Sequence, residues 1–314
     1  MSRTNVSSSM VSPSPAYNPW KLGGLTLQEL ARRLWHESQK DELLGRAAQL
    51  SYYVLLAVFP ALIVLTAAMG LLSVEEYMPE LMEYLRDVLP QDVLSMVERF
   101  LHQVAEGSGV NVLSLGGLGA LWASSSGVTA IMEALNVVYD VKVDSRPFWR
   151  VRLTAILLTI GLAGFVILSL TLVLYGQFIG TWVAELVGLG QAFTWAWNFL
   201  RWPLIICLML LVVAVVYYVC PDIRQDWRWI TPGSAFAVTM WVVVTLGFKL
   251  YVDNFGDYNK VYGSIAGVIV LMLWFYWSGM VLLIGGEINA EIEHAATEQQ
   301  SELGAETTTA KQAA

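Results

Sequence analysis

Long apolar runs, each close to the length a lipid bilayer demands, constrain this chain more than any other feature. A hydrocarbon core of about 30 Å takes roughly 20 apolar residues at 1.5 Å of helical rise each. Stretches 47–72, 151–178, 202–220, 232–252 and 262–288 have that length and few charges. A soluble fold of 314 residues, 56% apolar and only 14% charged, would have to hide more apolar surface than one core can hold. The expected class is all-α: a polytopic membrane protein. Nucleic-acid binding is disfavoured, since the net charge is −8 and no basic surface stands out.

A sixth stretch, 112–138, is weaker. It carries Gly116, Gly117, Gly119, Ser124, Ser125, Ser126, Glu133 and Asn136 among its apolar residues. Loop charge decides how to read it, because Lys and Arg concentrate on the cytoplasmic side. With six spans and the N-terminus inside, 13 Lys and Arg lie inside and 5 outside. With five spans the split becomes 9 against 9. A six-helix transmembrane bundle with both termini cytoplasmic is therefore expected. Trp149, Trp202, Trp227 and Trp229 sit at span ends, where an indole is half wet and half apolar.

Outside the spans, residues 1–25 begin rich in Ser and Pro and read as disordered, as does the polar tail 294–314. No cleavable signal peptide is expected, because the first apolar run starts at Ala47 and is long enough to span. Stretch 26–45 reads as an amphipathic helix with Thr26 as cap and Glu29 completing a capping box. Stretch 73–111 has two sets of helically spaced apolar residues separated by Pro90, and eight acids against two bases. It reads as an extracytoplasmic amphipathic helical hairpin.

Polar groups inside a membrane are the first functional candidates. Ser126, Thr129, Glu133 and Asn136 recur at steps of three and four, so they share one helical face. That seam either packs helices together or handles a ligand, proton or ion. Glu133 is expected to pair with Arg46 or Arg146, and Arg46, Arg146 and Glu287 form a candidate charge network at the inner rim. Glu287 falls beyond the hydrocarbon edge, where interfacial solvation suffices. Lys142, Arg146, Arg150 and Arg152 could hold anionic headgroups, although topology alone also accounts for them. Pro60 predicts a kink in the first span, and Gly176/Gly180 and Gly263/Gly267 predict close helix packing.

No catalytic constellation is present. His36, His102 and His294 are dispersed, and the metal, nucleophile-elbow and phosphate-loop patterns are missing, so no cofactor, metal or enzymatic activity is expected. Cys207 and Cys220 lie about 20 Å apart on one helical run, too far to pair.

Three blocks resemble a known family. Ala47-Ala48-Gln49-Leu50-Ser51-Tyr52-Tyr53 runs to Phe59-Pro60. Trp122 is followed by Ser124-Ser125-Ser126, Asn136, Tyr139 and Arg146-Pro147-Phe148-Trp149. Tyr262-Gly263-Ser264 leads through Trp274 to Gly285-Gly286-Glu287-Ile288-Asn289. Together, across about 30–293, they resemble the YihY/virulence factor BrkB family. One departure is Gly286, where the family pattern has a small apolar residue such as Ala. The resemblance implies a six-span protein of the bacterial inner membrane. It also brings a ribonuclease BN label, which the missing metal cluster disfavours, and roles in envelope lipid handling, solute or ion transport and serum resistance.

Two readings of function follow. One is a transporter or lipid-translocating protein without its own ATPase, resting on the polar seam, Pro60 and the basic inner rim near anionic lipid. The other is a structural or assembly factor of the envelope that docks a partner through 73–111. Membrane lipids are the expected partners, with a homo-oligomer or an envelope partner left open. The orientation is directly checkable in a background with Cys207 and Cys220 replaced by Ser. A cysteine at Glu76 should react with an impermeant thiol reagent on intact cells, and one at Lys142 only after permeabilisation. The reverse pattern would invert the topology.

Overall fold

The structure is a computed structural model that describes residues 18–70, 82, 86, 91, 94, 95, 98, 115–188, 190–223, 225, 227, 230–255 and 266–313. Apart from six isolated positions, the expected hairpin at 73–111 lies outside the described residues. A 3-10 turn, Pro19–Gly24, precedes α1 (Leu27–Lys40), α2 (Leu43–Gly70), α3 (Leu115–Val138), α4 (Phe148–Val187), α5 (Gly190–Val219), α6 (Pro232–Phe255) and α7 (Ala266–Ala313). The fold is all-α, and the chain is a polytopic membrane protein. Among the described residues, five stretches are long and apolar enough to cross a membrane: Leu43–Leu62, Phe148–Val173, Trp195–Val219, Pro232–Val252 and Ala266–Glu302.

The helix missing from that set, α3, is enclosed by the bundle from Ser124 onward, while Leu118 and Trp122 nearer its start are exposed. It packs on α2, α4 and α7. Ser125, Met132 and Leu135 are fully buried along it, and Val138 is 1% exposed. Close approach explains this. A Cβ on Gly127 would lie 2.9 Å from Ala57 of α2, and one on Gly286 of α7 would lie 2.9 Å from Leu135 and 3.2 Å from Val138. A helix surrounded by protein needs small residues for packing rather than an apolar surface for lipid. Gly119 faces open space, and Gly127 supplies the close contact.

The outer helices show the complementary pattern. Leu157 and Ile160 of α4, Phe199 and Ile206 of α5, and Val243 and Leu246 of α6 are exposed, which gives the bundle an apolar exterior suited to lipid. Between α4 and α5, Gly176 and Gly180 admit Arg201 and Trp197, and the Trp197 indole N–H donates to the Gly176 carbonyl. Between α6 and α7, Gly233 and Gly285 bring the two backbones together, while Trp241 donates to Ser278 and Trp274 to Thr245. Pro60 lies inside α2, which continues to Gly70 as one helix, and α5 likewise contains Pro203.

Both ends depart from expectation. Residues 19–24 are ordered: Gly23, at φ +62°, sits against Ile292 and Ala295 of α7, where a side chain would collide. Helix α1 has the expected capping box, with Thr26 accepting from Glu29 N at 3.2 Å and Glu29 accepting from Thr26 N at 2.9 Å. It ends at Lys40, because Asp41 and Glu42 turn the chain into α2, with Glu42 at φ +54°. Helix α7 runs to Ala313, past the boundary at 294 where the sequence analysis places a disordered tail. Stretch 294–302 is rich in Ala, Glu and Gln, which favour helix, and Arg33 of α1 holds Glu298 at 3.0 Å.

Filling the α6–α7 contact should therefore destabilise the fold. Gly285→Val places carbon against Tyr217, the Gly233 carbonyl and Ala237. It should cost about 2–3 kcal/mol in thermal unfolding of the detergent-solubilised protein. Gly247→Ala, which meets nothing within 4 Å, should change stability by no more than about 0.5 kcal/mol.

Candidate functional site

The polar face of α3 divides into separate sites rather than one seam. Ser124 and Ser125 are buried and satisfied locally, donating to the carbonyls of Leu121 and Trp122 at 3.0 and 2.8 Å. Thr129 donates to the Ser125 carbonyl at 3.1 Å. Glu133 is exposed and forms no ion pair among the described residues. The expected Glu133 pairing fails because both arginines are held elsewhere. Arg46 donates from Nε to the Asp41 carbonyl at 2.8 Å, and Arg146 is committed to acids of two loops.

That commitment forms a polar knot at one end of the bundle. Arg146 forks onto Asp144, Nε to Oδ1 at 2.9 Å and Nη2 to Oδ2 at 2.7 Å. Its Nη2 also donates to the Cys220 carbonyl at 2.9 Å, and Nη1 to the Val219 carbonyl at 3.3 Å, so it caps the end of α5. Asn136, buried at the end of α3, donates to Asp144 at 3.0 Å and accepts from Asp222 N at 2.8 Å. Asp222 takes both Ser145 N and Ser145 Oγ at 2.6 Å. One amide thus joins the loop after α3 to the loop after α5. Asp144 and Asp222 escaped the sequence reading because loop acids carry no periodic signal.

A second site lies on the same face of α3, one helical turn after another away from the knot. The Arg152 guanidinium of α4 stacks on the Trp122 ring with its carbon 4.0 Å from the centroid. It donates to the Trp122 carbonyl, and at 3.3 Å to the Ser126 hydroxyl. Its Nε is buried without a partner, and it forms no ion pair among the described residues. Trp122 and Ser126 are the eighth and twelfth residues of the 24-residue α3, so Arg152, the fifth residue of α4, carries its charge from the start of α4 to the middle of α3. Of the other basic candidates, Lys142 and Arg150 are exposed, and Arg150 lies over Trp149 at 5.3 Å.

Glu287 of α7 stands apart from both sites. Instead of interfacial solvation it is 2% exposed, and its Oε2 has no hydrogen-bond partner. Glu37 of α1 and Asp41 of the following turn each bring a carboxylate oxygen within 4.8 Å of it. The expected network of Arg46, Arg146 and Glu287 is therefore split between two sites. Burial and the nearby Asp140 carboxylate push the Asp41 carboxyl up, whereas the Lys40 ammonium at 2.5 Å holds Glu37 down. No metal-ligand pattern stands out in the sequence; the available signal is Glu37 and Asp41, four residues apart on an amphipathic helix and its turn. Of the hinge and packing candidates, Gly267 is buried, and Gly263 lies outside the described residues.

The knot makes a pH-dependent prediction. The Arg146 fork holds the Asp144 carboxyl below its ordinary 3.8, so the pair contributes fully above that value and is lost as pH falls through the folded value. Arg146→Gln should lower stability at neutral pH by about 1–3 kcal/mol, allowing for partial solvent exposure. It should also flatten the loss of stability below about pH 4. Asn136→Asp should be worse at pH 7 than Asn136→Ala, since it sets a second carboxylate against Asp144. Chemical unfolding of the solubilised protein across pH checks both.

Comparison with known proteins agrees with this architecture. The family described as virulence factor BrkB matches residues 34–309. The ribonuclease-like protein YfkH of Bacillus subtilis (strain 168) is 36% identical over 269 residues, covering 84% of this chain and 94% of that protein. A UPF0761 membrane protein of Tolumonas auensis is 27% identical, covering 83% of each chain. Another, from Vibrio campbellii, is 26% identical, covering 84% of this chain and 81% of its own. No solved structure matches. With the match spanning nearly the whole bundle, from α1 to the end of α7, the chain belongs to the virulence factor BrkB family of membrane proteins.

Proposed function

We propose that the protein translocates an anionic membrane amphiphile, such as an acidic phospholipid, along the α3–α4 seam without an ATPase of its own. The supporting observation is Arg152. A guanidinium beside the middle of a membrane helix is costly unless something offsets its charge. Here a carbonyl, a hydroxyl and an indole face hold it, and no carboxylate among the described residues neutralises it. Trp122 is 52% exposed, so the charge lies beside an opening toward the surroundings rather than in a sealed core. A phosphate headgroup entering from the side would supply the missing anion, with its acyl chains left in lipid.

The knot at Asn136 and Arg146 gives the seam a rigid end, and the exposed Lys142 and Arg150 would collect acidic headgroups there. This reading places the knot, both termini and the bacterial plasma membrane's inner face on one side, as the loop charge suggests. The ribonuclease label carried by a relative has no support in these residues, because the described polar clusters position charge and offer no activated nucleophile. The competing role, partner docking through 73–111, lies on residues outside those described.

Reconstituted vesicles provide the test. Wild-type protein should move fluorescent phosphatidylglycerol between leaflets faster than protein-free vesicles do, and faster than it moves phosphatidylcholine. Arg152→Gln should lower that rate at least about tenfold, the effect of losing one charge-assisted contact of 1.4 kcal/mol or more. Arg152→Lys should recover only part, since an ammonium cannot both stack on Trp122 and fork to a phosphate. Equal rates for wild type and protein-free vesicles, with and without an imposed ion gradient, would end this reading.

A further inference from the structure

Glu287 poses a problem that the translocation seam does not solve. Its carboxyl is 2% exposed and its Oε2 is sealed from solvent without a donor. A buried polar atom in that state is expected to have a partner. The groups around it add negative charge: Glu37 and Asp41 each place an oxygen within 4.8 Å of it and of each other. Of the nearby bases Lys40, Arg33 and Arg46, only Lys40 touches a carboxylate of the cluster, through Glu37. Lys40 bonds Glu37 at 2.5 Å and Asp140 at 3.4 Å, Arg33 pairs with Glu291 at 3.7 Å and Glu298 at 3.0 Å, and Arg46 donates to a backbone carbonyl. None of the three forms an ion pair with Glu287 or with the Asp41 carboxylate.

We propose that Glu37, Asp41 and Glu287 bind one hard divalent cation of the Mg2+, Mn2+ or Ca2+ class, which clamps α1 and its turn to α7. The donor set is carboxylate oxygen alone, the chemistry that hard cations select over Zn2+ or Cu2+. The spacing fits as well. An ion equidistant from three oxygens 4.8 Å apart would stand about 2.8 Å from each, so small side-chain rotations would bring all three to the roughly 2.3–2.6 Å of a Ca2+ ion. The three residues come from an amphipathic helix, a tight turn and a membrane helix, so a bound ion cross-links segments 250 positions apart in sequence. An open cleft of about 350 Å³ lined by Arg33, His36, Glu37, Asp140, Glu291 and His294 adjoins Glu37 and offers an entry path. This site is separate from Arg152, and its test involves no lipid transport.

Titration of the full chain in detergent with Mn2+, followed by electron paramagnetic resonance, is decisive. Wild type should bind one Mn2+ at neutral pH, displaceable by Mg2+ or Ca2+, and its thermal midpoint should rise with Mn2+ concentration. Glu287→Gln, Asp41→Asn and Glu37→Gln should each weaken binding at least tenfold. Glu298→Gln, which lines the cleft outside the three-carboxylate set, should leave the affinity unchanged. Glu37 is only half-buried, so Glu37→Gln serves if the buried substitutions do not fold. Folded wild type without saturable Mn2+ binding would overturn the proposal and leave Glu287 as a protonated buried acid. So would binding that survives Glu37→Gln at full affinity.

Discussion

Everything in this bundle is arranged around a helix that lipid would not tolerate. Helix α3 carries glycines, serines, a glutamate and an asparagine along its length, and so lacks the continuous apolar surface its neighbours have. Its backbone is self-satisfied, but its serines, Asn136 and glycines gain from protein packing what hydrocarbon would not supply. Enclosure by α2, α4 and α7 resolves this, and it does so at van der Waals range through Gly127 against Ala57 and Gly286 against Leu135. The same geometry favours a small residue, Gly or Ala, at 286. A methyl there already presses on Leu135 and Val138, so the residue is kept small by interhelical distance.

Three charges inside or beside the bundle find three different environments. Arg146 is forked to an acid and shared with two helix-end carbonyls, a closed arrangement suited to holding loops in place. Arg152 has only neutral partners and an aromatic face, which leaves an anion's place open. Glu287 has an Oε2 without a donor among the described residues and two acids beside it. Burial strengthens electrostatic interactions in every case, so the differences lie in what else is within reach. A satisfied charge is structural; an unsatisfied one points to a ligand.

The sequence reading succeeded where periodicity and length carry the information. The apolar runs and the Thr26–Glu29 capping box follow from local spacing, and they appear as helices among α2 to α7 and at the start of α1. It failed where a partner came from far along the chain. Glu133 shares a face with Asn136, yet their fates differ: Asn136 meets the loops after α3 and α5, and Glu133 is exposed with no ion pair among the described residues. Glu287, placed near the interface by counting residues, is covered by α1 and its turn folding back onto α7. The tail after 294 reads as polar and simple, but its helix formers and the Arg33–Glu298 pair continue α7 outward.

By itself the sequence determined the all-α membrane class, the sites of the helices and the polar face of α3, because bilayer thickness and helical rise convert local composition directly into those features. Tertiary structure alone decided which polar residue became a hub, which charge stayed unpaired and which acids converged. Those outcomes depend on distances between segments as remote as Glu37 and Glu287, and a helical period says nothing about what stands across the groove.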